Sequence, residues 1–212
     1  MFKRLNKYTV PLKPQELRNA TYVGPFARLA TLIADETEYW AENSIVSTQA
    51  IRRMGDIEFV AELLIGTMHG PQGGSAALID EYYAQYEDYE EEFPEQRATR
   101  RRFNVALGLI QAVFPEIRRV RWRNKTDFYS LFVVVAYLIR EEGLSATGKT
   151  RALRDSLTKF ADKVELRQSD ERATVAPEIQ SYVRAMTRGA NDKARRGERH
   201  RALLAWLAPI TG

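Results

Sequence analysis

The stretch TDFYSLFVVVAYLIREEGLSATGKT, residues 126–150, decides the fold. Phe128, Leu131, Phe132, Val135, Leu138 and Ile139 recur at spacings of three and four, the period of one helix face. The run is so densely apolar that the helix it predicts belongs at the centre of a domain. The nine residues from Leu131 to Ile139 fall well short of the roughly 18 that a membrane span needs.

The second half of the stretch offers a competing reading. Gly143, Leu144, Ser145, Ala146, Thr147, Gly148, Lys149 and Thr150 match the Walker A pattern letter for letter. In such a loop, backbone N–H groups cradle phosphate, the lysine neutralises charge and the hydroxyl holds magnesium. That chemistry requires a buried parallel strand leading straight into the loop, whereas Arg140, Glu141 and Glu142 intervene and the preceding run has the helical period. Two carboxylates beside a triphosphate would also repel it. The sequence therefore favours a helix ending at Gly143, with Ser145 or Thr147 capping the next helix, and a phosphate loop stands as the alternative.

Outward from this centre the helical period recurs. Phe26, Leu29, Ala30 and Ile33 form one stripe, and Ile57, Val60, Ala61 and Leu64 another, with Asp56 placed as its N-cap. After a Gly- and Pro-containing loop at residues 70–75, Leu78, Tyr82, Tyr86 and Tyr89 line a tyrosine-rich helix opposite an acidic face. Pro94 opens a helix carrying Phe103, Ala106, Leu107, Ile110 and Val113, which Pro115 stops. Leu153, Leu157, Phe160 and Val164 continue the pattern, as do Ile179, Tyr182, Val183 and Met186. Leu203, Leu204, Trp206 and Leu207 predict a short last helix, preceded by a basic, exposed connection from Gly189 to Arg201. Tyr8–Leu12 and Val120–Trp122 are the only strand candidates. The expected class is all-α, a bundle of about eight helices with at most a marginal β element near the amino terminus. Residues 1–24 read as a linker, 25–144 as a helical core domain and 145–212 as a helical extension.

Composition narrows the function classes. The chain of 212 residues is 44% hydrophobic, enough to bury a real core. It has no cysteine, which excludes disulfides, thiolate metal sites and cysteine nucleophiles, and makes a reducing, cytoplasmic setting the default expectation. Neither a membrane nor a metal is expected. His69 and His200 are far apart without ligand spacing, so both read as solvated surface histidines. The acidic run Glu87–Glu92 lacks the glycine turn of a calcium loop and reads as a solvated helix face.

Basic residues outnumber acidic ones by four, a surplus that permits a polyanion partner without requiring one. They gather at Arg97–Arg102, around Trp122, and from Lys193 to Arg201. The middle group is the most suggestive. Arg119, Arg121 and Arg123 alternate with Trp122 in a pattern that can contact phosphates while stacking on a base, so these four are the nucleic-acid contact candidates.

The amino-terminal part carries a resemblance. Phe2, Lys3, Arg4, Leu5 and Asn6, then Pro11, Leu12, Gln15, Glu16, Leu17, Arg18, Asn19 and Ala20, then Gly24, Pro25 and Phe26, resemble the DUF262 family, the GmrS-type part of modification-dependent restriction systems. Arg53, Met54, Asp56 and Glu58 resemble a second segment of that family. The resemblance covers about the first two thirds of the chain. It implies a role in DNA restriction or phage defence alongside a ParB-like domain that binds and hydrolyses nucleotide, with NTP and magnesium as cofactors of the intact protein and an HNH nuclease as a further partner. The Asp-Gly-Gln-Arg motif of that ParB-like domain and the nuclease itself are missing from these residues, so the chain is expected to hold no catalytic residue and no cofactor of its own. By the same resemblance Phe2, Asn6, Arg18 and Asn19 would lie near nucleotide in the intact assembly. The residues themselves allow a plainer reading, in which Pro14 starts a helix, Arg18 pairs with Glu16 or a distant acid, and Asn19 bonds loop backbone near Gly24.

Overall fold

A computed structural model describes residues 11–144 and 148–211. The described residues contain helices and turns and no strand. In chain order the helices are α1 (Pro14–Thr21), α2 (Pro25–Asp35), α3 (Tyr39–Glu42), α4 (Thr48–Ile51), α5 (Gly55–His69), α6 (Ala76–Gln85), α7 (Gln96–Val113), α8 (Lys125–Glu141), α9 (Thr150–Ser169), α10 (Pro177–Arg184) and α11 (Lys193–Thr211).

The expected central helix is α8. Phe128, Leu131, Phe132, Val134 and Leu138 are fully buried, and the helix packs against α5, α7 and α11. An aromatic cluster of Trp40, Phe59, Phe103, Phe128 and Phe132 holds its first half. A second cluster of Trp122, Phe160, Tyr182 and Trp206 joins the segment just before it to α9, α10 and α11. The apolar core runs from Phe26 to Leu207, so residues 25–144 and 145–212 share it.

Local chemistry sets many boundaries. Pro14, Pro25 and Pro177 each stand in the first turn of a helix, where a missing N–H costs nothing. Ser47 and Ser75 accept from the N–H groups of Ala50 and Leu78 and so cap α4 and α6.

Several expectations need correction. α5 starts at Gly55, so Asp56 lies inside its first turn, and Met54 holds the capping position with φ 60°. α6 ends at Gln85, so Tyr86 and Tyr89 are not helical and Glu87–Glu92 is a turn-rich segment rather than a helix face. Val120–Trp122 is not a strand: single turns of 3-10 helix span Ile117–Arg119 and Arg121–Arg123. Of the other strand candidate, Tyr8–Val10 lie outside the described residues. The basic connection before the last helix is mostly helix itself, because α11 begins at Lys193 and buries Arg196, Arg199 and His200 on the face that continues through Leu203 and Leu207. Those five positions follow the helical spacing, but three of them are residue types counted as surface.

Candidate functional site

The two segments that carry the resemblance meet in space. α1 packs on α5 and α6, and Arg18, only 2% exposed, reaches between them. Its Nε donates to Asp80 at 2.6 Å and its Nη1 to Glu58 at 3.0 Å. Nη1 also reaches the Gln15 side-chain oxygen at 3.1 Å, and Nη2 donates to the Ala76 carbonyl at 3.0 Å. Gln15 is itself buried and donates to the Tyr83 hydroxyl at 2.9 Å.

A second pair runs the other way. Arg53 grips Glu16 with two hydrogen bonds, Nε to Oε1 at 2.7 Å and Nη2 to Oε2 at 2.6 Å. Glu16 also accepts from the Lys13 N–H at 2.6 Å, which closes the amino-terminal turn of α1. Segment 15–18 thus donates to 53–58 through Arg18 and accepts from it through Glu16. Of the partners the sequence offered Arg18, Glu16 or a distant acid, the structure uses distant acids, Asp80 and Glu58.

The electrostatics follow. Burial works against the Arg18 charge, yet Asp80 and Glu58 outweigh it and raise its pKa. Hydrogen bonds from Arg53, then from the Lys13 backbone, hold Glu16 below the usual carboxylate range. Burial pushes the Tyr83 phenol up to about 12, against the Gln15 hydrogen bond. The result is a lattice of paired charges that fastens α1 to α5 and α6.

Between α1 and the α4–α5 corner lies an open cleft of about 380 Å³, lined by Lys13, Gln15, Ser47, Gln49, Arg53 and Glu58 among others. Met54, at φ 60° between Arg53 and Gly55, sets this corner; a left-handed methionine is a strained conformation that the surrounding ion pairs must hold. The Gly24–Phe26 segment is fastened as well. The Glu87 carboxylate accepts from the Val23 and Gly24 N–H groups, each at 2.9 Å, and a Cβ on Gly24 would come within 2.7 Å of the Glu87 backbone.

The other candidates scatter. Phe2 and Asn6 lie outside the described residues. Asn19 is exposed on α1. Trp122 is 1% exposed and stacks on Phe160, so in this fold it has no free face for a base. Arg121 turns inward, with Nε 3.1 Å from Asp127 and Nη1 donating to Gln168 at 2.7 Å. Arg119, paired with Glu116 at 2.6 Å, and Arg123 remain on the surface.

In the glycine-rich stretch, α8 rather than a strand leads to Gly143, which takes φ 62° just beyond the helix. Ser145 and Thr147 lie outside the described residues. α9 starts at Thr150 with Lys149 in the capping position, and the Lys149 ammonium donates to the Thr211 carbonyl at the end of α11. Of the two histidines expected on the surface, His69 is there and His200 is not. His200 is buried edge-on against Tyr137, and burial, then Arg201, lowers its pKa to about 4. His69 is exposed at the end of α5 and stacks on Tyr82, and the desolvation of its ring lowers its pKa as well. Among the described residues no group of three or more His, Asp or Glu side chains is arranged to hold a metal, and no helix is long and apolar enough to cross a membrane.

One set of residues escaped the sequence reading. Glu62 on α5, Asp127 on α8 and Arg196 and Arg199 on α11 are all buried. Arg196 pairs with Glu62, and Asp127 accepts from the Tyr182 hydroxyl at 2.8 Å. The available signal was the charge at core-face positions: Glu62 falls between Ala61 and Leu63, and Asp127 directly precedes Phe128.

Comparison of the chain with protein-family models, with characterised proteins and with solved structures found no match.

Proposed function

We propose that this chain is the helical carboxy-terminal part of a DUF262-type protein of modification-dependent restriction or phage defence, that it scaffolds a ParB-like nucleotide-binding half, and that it has no turnover of its own. The observation that carries this reading is the reciprocal lock between the two resembling segments, Arg18 to Glu58 and Glu16 to Arg53. Residues 40 and 37 positions apart hold each other through charge-assisted bonds, which makes α1 a rigid platform instead of a loose linker. Leu12, Leu17 and Val23, before, within and after α1, are more than half exposed and supply apolar area for a partner to cover. Arg18 spends its donors inside the fold, so its role in this reading is to position α1, not to touch nucleotide.

Two measurements test the proposal. The purified chain with labelled ATP or GTP and magnesium is expected to release no phosphate; turnover abolished by Lys149→Ala would overturn the reading in favour of a phosphate loop. A separately expressed ParB-like half is expected to co-purify with the chain and to lose it on Leu17→Asp, an exposed change that spares the core. Unaltered capture by that variant, or no capture by the parent chain, counts against the platform.

A further inference from the structure

The buried faces of α5, α8 and α11 meet around a cavity of about 60 Å³, walled by Phe59, Glu62, Lys125, Tyr129, Arg196 and Arg199. Its charges do not balance. Lys125, Arg196 and Arg199 bring three positive charges and Glu62 one negative. The next pair outward, Arg121 with Asp127 at 3.1 Å, is neutral as a unit; since Lys125 is partly in solvent, one positive charge is left over among the buried groups, with Lys125 adding a second at the edge.

The hydrogen bonds show where the surplus is concentrated. Arg199 is fully buried; its Nε donates to Ser130 at 2.9 Å and its Nη1 to the Ala185 and Ala190 carbonyls at 2.9 and 2.7 Å. Its Nη2 is buried and has no hydrogen-bond partner among the described residues, and the same is true of Arg196 Nε. Arg196 otherwise pairs with Glu62, donates from Nη1 to the Gln72 carbonyl at 3.1 Å, and lies over the Tyr129 ring at 3.8 Å. Lys125 stands at the mouth, with its side chain 45% exposed and its Nζ 3.3 Å from Glu62. Lys125 and Thr126 open α8, so the positive end of that helix also bounds the cavity.

Buried N–H groups on cations are costly to leave unpaired, and a surplus of buried like charge is costlier still. Water could satisfy the N–H groups but not the charge. An anion answers both, and the space suits one: a water molecule needs about 10–15 Å³ by this measure, so the cavity holds about four to six water-sized oxygens, room enough for a tetrahedral oxyanion. Glu62 does not veto an anion here, because its carboxylate is already matched on both sides by Arg196 and Lys125.

We propose that this cavity is a binding site for a phosphate-class oxyanion, taken from the Lys125 mouth and held by Arg199 Nη2, Arg196 Nε and Lys125 Nζ. The site is independent of the scaffold reading above. The bound group is either free phosphate or a terminal phosphoryl group of a larger molecule.

The test is calorimetric titration of the full chain with inorganic phosphate, with ATP in a separate arm and sodium chloride at matched ionic strength as control. Phosphate is expected to bind one per chain and to raise the thermal midpoint. Lys125→Gln, at an exposed position, should weaken binding about tenfold, and Arg199→Lys, which keeps the charge and loses the fork, should weaken it also. Phosphate binding without ATP binding assigns free phosphate, and Lys125-dependent ATP binding assigns a phosphoryl group. No heat and no midpoint rise at phosphate up to about ten times a millimolar Kd overturns the proposal, as does equal binding by chloride or by Lys125→Gln.

Discussion

Replacing Arg18 with methionine keeps the aliphatic stem and removes the guanidinium, and its cost can be worked from the contacts. Four acceptors lose their donor: Asp80, Glu58, the Gln15 side-chain oxygen and the Ala76 carbonyl. Removing one partner of a buried ion pair costs about 3–5 kcal/mol, because the other charge is stranded. Here the acids are not stranded, since the side chains of Glu58 and Asp80 keep 30% and 48% of their exposure and return to water. Buried Gln15 has no such escape. The stranded-charge cost therefore does not apply, and the unpaired buried acceptors set the loss at about 1–3 kcal/mol, which for a chain of this size lowers the thermal midpoint by about 2–12 °C. Urea unfolding followed by helix circular dichroism measures it, with the parent slope retained. Glu58→Gln alone should cost less, because Asp80 still holds Arg18, and a double-mutant cycle between Arg18→Met and Glu58→Gln should give a coupling of about 1 kcal/mol or more. A loss below about 1 kcal/mol on Arg18→Met, or no coupling, would refute the argument that this arginine fastens α1.

Two further outcomes follow from buried groups elsewhere. The His200 pKa is lowered to about 4 in the fold, against about 6.5 in an unfolded chain, so below pH 6.5 the unfolded state takes up the proton first and stability falls towards pH 4 by about 3 kcal/mol; urea midpoints between pH 7 and 4 should decline less in His200→Phe, and parallel profiles would show that the histidine is not the cause. Gly66 lies where α5 crosses α8, and a Cβ there would come within 2.6 Å of Val133 Cγ2. Gly66→Ala should therefore destabilise by about 1–3 kcal/mol despite a helix-propensity gain of about 1 kcal/mol, and a net stabilisation would mean that the helices can separate at no cost.

How much of this was legible depends on whether burial followed residue type. α8 was readable because most of its buried positions are apolar, Asp127 and Ser130 being the exceptions, and the same property separated a helix from the strand that a phosphate loop needs. α11 was hidden because its inward face runs Arg196, Arg199 and His200 before reaching Leu203 and Leu207, so a count of apolar residues starts the helix several residues late. α3 and α4 are single turns with too few residues to show a period. In the candidate site, the partners of Arg18 and Arg53 are set by the crossing of α1 with α5 and α6. Sequence marks both arginines as wanting an acid but does not choose among 28 carboxylates.

That choice bears on what the basic character of the chain means. Clusters of arginine invite a polyanion reading, yet several of these guanidiniums do one internal job, closing helix ends. Arg102 and Arg140 donate to the Thr67 and Met68 carbonyls in the last turn of α5. Arg154 donates to Ala112 and Val113 at the end of α7, at 3.0 and 2.6 Å, and Arg199 to Ala185 just past α10. A helix leaves its last four carbonyls unpaired with the negative end of its dipole beside them, and a forked cation answers both needs at once. In a bundle of many short helices such ends are numerous, so a surplus of arginine is what the architecture itself consumes. The net charge of +4 is therefore weak grounds for nucleic-acid binding. The stronger electrostatic anomaly is inside the molecule, where Arg196 and Arg199 meet without enough carboxylate to match them.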